Sequence, residues 1–173
     1  MIVAFQCDDK LTSDLSDFQQ SLAKDYPEVK KGLVPPVRAN IPLCNIKVPC
    51  SKDIHKAAIV FHQAWEKWLY LHRIWTSNTP NKGLNISLKG IVLDDCTLNL
   101  KPLIGKHMLE SISSLFNEMF EDQGFICTSQ QTPMLTVCTL DENNKNLALE
   151  IVNQYSNTYV GCSKVYMIKL LSP

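Results

Sequence analysis

Apolar residues recur along this chain at two spacings, and the changes from one to the other mark out its elements. Ile2-Val3-Ala4-Phe5 is a short β-prone run, closed by the turn-forming pair Asp8-Asp9. From 11 to 24, Leu11, Leu15, Phe18 and Leu22 follow spacings of 4, 3 and 4, which places them on one face of an amphipathic helix. Thr12 or Ser13 is the expected cap, and Pro27 lies just past the end. Pro35 and Pro36 demand a loop. Ile41, Leu43, Ile46 and Val48 then read as a strand interrupted at Pro42.

The longest predicted helix covers 52–75, capped by Ser51-Lys52-Asp53, with Ile54, Ala58, Phe61, Trp65, Trp68 and His72 as its core stripe. Two strands, 84–93 and 96–101, are expected to form a hairpin about Asp94-Asp95. A helix over 106–123 ends at Gly124, suited to a left-handed helix terminus. After the short apolar run Phe125–Cys127 come a strand at 134–140, a helix at 144–158 and a final strand at 164–171. The order is β-α-β-α-β-β-α-β-α-β, in two halves of similar plan, without an internal linker. An α+β layered domain, or an α/β one, satisfies it.

Composition narrows the function classes. The 173 residues are enough for one domain, taken as 1–173, and 45% hydrophobic content is enough for a real core. A strand beginning at residue 2 is compatible with a domain excised from a longer protein. Lys and Arg total 17 and Asp and Glu also 17, so any binding of nucleic acid must come from a local patch rather than a global field. The seven cysteines are odd in number and form no Cys-x-x-Cys spacing. They read as free thiols of an intracellular protein, cytoplasmic or nuclear. No segment has the ~20 apolar residues of a membrane span.

Two strands share a form: Ala39-Asn40-Ile41-Pro42-Leu43 and Pro133-Met134-Leu135-Thr136-Val137. With the element order, they resemble the two-histidine (2H, LigT-like) phosphoesterase superfamily, particularly the branch found in A-kinase anchoring proteins and 2′-5′ RNA ligase-like proteins. The resemblance runs from the Ile2-Val3-Ala4-Phe5 strand to Tyr166-Met167-Ile168-Lys169-Leu170. It implies a bilobal α+β domain, two small sheets flanked by helices around a central cleft. In that family each lobe contributes a strand of pattern His-apolar-Thr/Ser. The histidines act as general base and acid on a cyclic or 2′,5′ phosphodiester, and the hydroxyls hold phosphate oxygens.

Here the motif places depart from that pattern. Asn40 and Met134 stand in the histidine places, Pro42 replaces the first hydroxyl residue, and only Thr136 is kept. Asn40 has no ionisable proton, and Met134 neither donates nor accepts one. Each lost acid–base group removes ~10²–10⁴-fold in rate, so the resemblance implies no catalytic residue at these positions. The four histidines, His55, His62, His72 and His107, fall on predicted helices, where an active enzyme would need them on strands. No metal-ligand spacing or cofactor loop is present, and neither metal nor cofactor is expected.

The expected function is therefore that of an inactive 2H phosphoesterase-like pseudoenzyme serving as a protein-interaction or scaffold module. Trp65, Trp68 and Trp75 are its candidate contact residues, and core packing is the alternative for each. The second expectation is a module that binds RNA or a nucleotide without cutting it, through Arg38, Thr136, Lys164 and Lys169. Scattered surface cations account for the same lysines and arginine.

Overall fold

The computed structural model describes residues 1–77, 85–128, 132–164 and 168–172, and their side chains except those of 72–77 and 142. Its strands are β1 (Ile2–Gln6), β2 (Asn40–Lys47), β3 (Asn85–Asp94), β4 (Thr97–Ile104), β5 (Ile126–Thr128), β6 (Leu135–Thr139), β7 (Tyr159–Lys164) and β8 (Ile168–Leu171). The helices are α1 (Asp9–Asp25), α2 (Ser51–Ser77), α3 (Lys106–Glu121) and α4 (Lys145–Tyr155). The strands form two four-stranded sheets of order β5-β2-β1-β8 and β6-β4-β3-β7, antiparallel throughout. The fold is thus α+β, one of the two classes the patterning allows and the one the resemblance implies.

Helix α3 packs on β2 and β5 and against α2, whereas α1 packs on β7 and α4 on β3. The first sheet is therefore covered by α3, with α2 packed against α3, and the second sheet by α1 and α4. The alternation of strand side chains explains why. Val3, Phe5 and Ile41 of the first sheet are fully buried, as are Leu98, Leu100, Leu135 and Val137 of the second. Phe116 and Phe120 of α3 and Leu11 and Leu15 of α1 are also fully buried, and all of them belong to one contiguous core.

Several boundaries differ from the sequence expectation. The cap of α1 is Asp8, whose Oδ1 accepts from the Leu11 N–H at 2.8 Å, so the helix starts before Thr12 and Ser13. On α2 the buried line is Ala57, Val60, Ala64 and Trp68 rather than one led by Ile54, which is 48% exposed. Its two alanines present little bulk toward α3, while Phe61 and Trp65 flank the line half-buried. The hairpin turn is Asp95-Cys96, one residue later than expected, with Asp95 in the left-handed region at φ 52°.

Two strands escaped the patterning. The three-residue β5 is too short to show a period, and β7 falls between the predicted end of α4 and the predicted last strand. The region read as one strand at 164–171 contains the end of β7 and, separately, β8, which lie in different sheets. Pro42 does not interrupt β2. Strand β5 pairs β2 only over Asn45–Lys47, so at Pro42 one edge of β2 is unpaired among the described residues and a missing N–H costs little.

The outer edge of β6 is covered by the chain that follows α1. Leu33 bridges to Cys138, and the Val34 N–H donates to the Val137 carbonyl at 2.9 Å. Buried Gln19 ties this seam, its Nε2 donating to the carbonyls of Val34 at 2.7 Å and Val137 at 3.1 Å. An edge that would otherwise recruit another strand is closed within the domain.

Candidate functional site

The first motif position opens β2. The chain arrives through a short 3-10 turn, Pro36–Arg38, and enters the sheet with Asn40 opposite Gln6 and Pro42 opposite Ala4. Ile41 points into the core, so Asn40 and Pro42 face the other way, and both are half-buried. Asn40 Nδ2 donates to the Arg38 carbonyl at 3.0 Å, which holds the amide against the turn. On the far side of β1, Lys169 of β8 stands opposite Ala4, which sets Lys169, Ala4 and Pro42 in one row across three strands. Asn40, Gln6, Arg38 and Lys169 line a pocket of about 280 Å³ that has two cations and no acid among its lining residues. Such a pocket suits an anion or a polar acceptor group.

The second motif position is built differently. Thr136 of β6 pairs with Asn99 of β4, and its hydroxyl donates to Asn99 Oδ1 at 2.8 Å. Asn99, only 3% exposed, donates in turn to the Thr97 carbonyl at 3.2 Å and to Thr97 Oγ1 at 2.9 Å. Thr97 passes its own proton to the Asp94 carbonyl at 2.8 Å. The Thr136 and Thr97 hydroxyl protons are thus both committed to partners within the sheet. With its proton given to Asn99, Thr136 has only acceptor capacity left for any further group.

Met134 lies just ahead of β6 and lines a pocket of about 540 Å³ with Val92, Asp94, Lys101, Lys106 and Thr132. Lys106 pairs with Glu110 at 3.7 Å. The two pockets have no lining residue in common, although β2 and β6 bring Cα atoms within 8 Å of each other.

The four residues expected to hold a ligand are therefore divided. Arg38 and Lys169 meet in the first pocket, whereas Thr136 sits in the second sheet. Lys164 ends β7 on that sheet's outer edge, its backbone N–H donating to Asp8 Oδ2 at 3.2 Å. Of the candidate contact residues, Trp65 and Trp68 stack at 4.9 Å with an interplanar angle of 15° and pack against the core. The Trp75 side chain lies outside the described residues. The exposed apolar residues of α2 are others, Ile59 and Tyr70 among them, which are three turns apart on one outer face.

Sequence reasoning missed Asn99, Lys101 and Lys106. For Asn99 a signal existed, a polar residue between Leu98 and Leu100 in a strand that pairs with the second motif. Of the histidines, His55 and His62 are exposed on α2 and His107 is exposed on α3, with Nδ1 3.2 Å from Glu110 Oε2. His72 belongs to α2, and its side chain lies outside the described residues. Among the described residues no group of three or more His, Cys, Asp or Glu is placed to hold a metal, and no helix is long and apolar enough to cross a membrane.

Two four-stranded antiparallel sheets, each backed by helices and meeting along β2 and β6, constitute a 2H phosphoesterase-like fold. The solved structures bear this out: the chain is similar to the crystal structure of the MHV ns2 PDE domain, with a TM-score of 0.62 over 95% of this chain and 88% of that one. Identity between the two is 11%, so the likeness is one of fold. No family model matches the chain, and no curated protein matches it.

Proposed function

We propose that this chain is a catalytically inactive 2H phosphoesterase-like domain that works as a protein-interaction module. The observation that carries the reading is the absence of histidine from both motif strands: all four histidines of the sequence fall on α2 and α3. Phosphodiester cleavage at neutral pH by this fold's two-lobed plan needs a proton acceptor and a proton donor that face each other, and Asn40 and Met134 supply neither. The commitment of the Thr136 proton to Asn99 removes one phosphate donor as well. The outer face of α2, with Ile59 46% and Tyr70 66% exposed, offers apolar contact area of the kind a partner would cover.

A second reading is favoured by one observation, the meeting of Arg38 and Lys169 in an acid-free pocket beside Asn40. That pocket supports binding of RNA or a nucleotide without turnover. The two readings separate by charge. The purified chain is titrated with fluorescent single-stranded RNA at two salt concentrations, and the same mixtures are assayed for cleavage of a 2′,3′-cyclic phosphate and a 2′,5′-linked dinucleotide. The expected result is no turnover and no salt-sensitive binding. Binding that falls steeply with salt and weakens in Arg38→Ala would replace the interaction module with the nucleotide-binding one. Turnover lost in a histidine variant would overturn both.

A further inference from the structure

Two cysteines far apart in sequence meet beneath the end of α3. Strand β5 pairs β2 with Ile46 opposite Cys127 and Asn45 opposite Thr128, which puts Cys127 and Cys44 on the same face in diagonal positions. The two thiols are near enough for each to shift the other's proton affinity. Cys44 is 1% exposed, while Cys127 is half-buried and open to small reagents from the sheet edge. Cys50, the sequence neighbour of Cys44, is turned away, its Sγ 3.1 Å from Asp53 Oδ2.

We propose that Cys44 and Cys127 are the site of a reversible disulfide, formed by exchange with a low-molecular-weight disulfide such as oxidised glutathione, that fastens β5 to β2. The Cys127 thiolate attacks one sulfur of oxidised glutathione, giving a mixed disulfide and releasing one glutathione thiolate. The Cys44 thiolate then attacks Cys127 Sγ, the internal S–S bond forms, and the second glutathione leaves as a thiolate. Two protons leave the protein thiols and are taken up by the two departing glutathiones. Two protein thiols are oxidised and one glutathione disulfide is reduced.

Diagonal partners on neighbouring strands stand farther apart than directly opposed ones, and a disulfide needs its Cα atoms within about 7 Å. Closing the bond therefore draws the three-residue β5 inward. A strand that short, at a sheet edge, yields readily, and a bond closed under such tension is easily reduced again. Burial, with the Glu121 carboxylate nearby, pushes both thiols up from their ordinary range. Exchange is accordingly slow at neutral pH and faster as pH rises, because the thiolate is the attacking form.

The test equilibrates the native chain in buffers of graded oxidised-to-reduced glutathione ratio at pH 7 and pH 9. The mixture is quenched in acid, alkylated and mapped by peptide mass spectrometry. The expected product is a Cys44–Cys127 cross-linked peptide, formed faster at pH 9 and reversed by excess reduced glutathione. In Cys44→Ala the cross-link is lost and glutathione remains trapped on Cys127. In Cys127→Ala neither adduct appears at Cys44. Should Cys44 and Cys127 both be recovered alkylated from the most oxidising buffer while exposed Cys50 carries glutathione, the proposal is overturned. Pairing of Cys44 with any other cysteine would overturn it as well.

Discussion

At the scale of single residues, the second motif shows how one retained side chain can lose its old use. Thr136 is the only motif residue kept, yet its proton belongs to Asn99, and Asn99 is held on its other side by Thr97. Thr136→Val leaves the buried Asn99 Oδ1 without a donor and is expected to lower stability by about 1–3 kcal/mol in urea unfolding. The Thr136→Val/Asn99→Leu pair should cost less than the sum of the single changes, because it removes both ends of the bond. An additive pair would mean that the two residues do not act as a unit.

Tyr155 illustrates a titrating residue that works for stability. Burial, and then its hydrogen bond to Asp25, raise its pKa from 10 to about 12. The folded chain therefore keeps the phenol proton where the unfolded chain has begun to lose it. The contribution is whole below pH 10 and is lost as pH rises toward 12. Unfolding free energy measured from pH 9 to pH 12 should fall less steeply in Tyr155→Phe than in the parent. Equal slopes would show that Tyr155 does not carry the effect.

At the scale of elements, close approach of backbones decides which glycines matter. A Cβ on Gly32 would lie 1.8 Å from the Thr139 carbonyl oxygen, in the seam that covers β6. Gly124 adopts φ 81° after α3 but has open space around it. Gly32→Ala must push the seam off β6 and is expected to cost well over 2 kcal/mol, whereas Gly124→Ala carries only the left-handed penalty of about 1–2 kcal/mol. Thermal unfolding of both variants would reverse this ranking only if the chain after α1 were loosely attached.

The long elements were legible because periodicity accumulates over several turns. Helices α1, α2 and α3 each show one apolar stripe in sequence, and Gly124 marks the end of α3 in both readings. Strand β5 was not legible, because three residues contain no period, and β7 was obscured by an α4 predicted three residues too long. The α2 stripe was misplaced by one position because Trp65 and Ile54 outweigh alanine in any hydrophobic pattern, although alanines make the line of closest packing. Of the candidate site, the motif strands could be found and their hydrogen-bond partners could not. Asn99 is brought to Thr136 by strand pairing, a contact across 37 positions that no local pattern contains.

At the scale of the whole molecule, the two sheets share one hydrophobic core although each has its own helices. That continuity predicts a single cooperative transition. All three tryptophans lie on α2, which packs against α3 of the first half, so their fluorescence reports one half while far-ultraviolet circular dichroism reports both. The two signals should give the same urea midpoint. Separated midpoints would mean that the halves unfold independently.

The pocket beside Asn40 draws its two cations from segments far apart in the sequence, Arg38 from the turn before β2 and Lys169 from β8. During synthesis the ribosome has made every strand of the second sheet before it adds β8. The first sheet meanwhile waits with one side of β1 uncovered. This pocket is consequently the last part of the domain to be completed, and a chain terminated just after Lys164 would emerge with the second sheet's strands all present and the pocket lacking a wall.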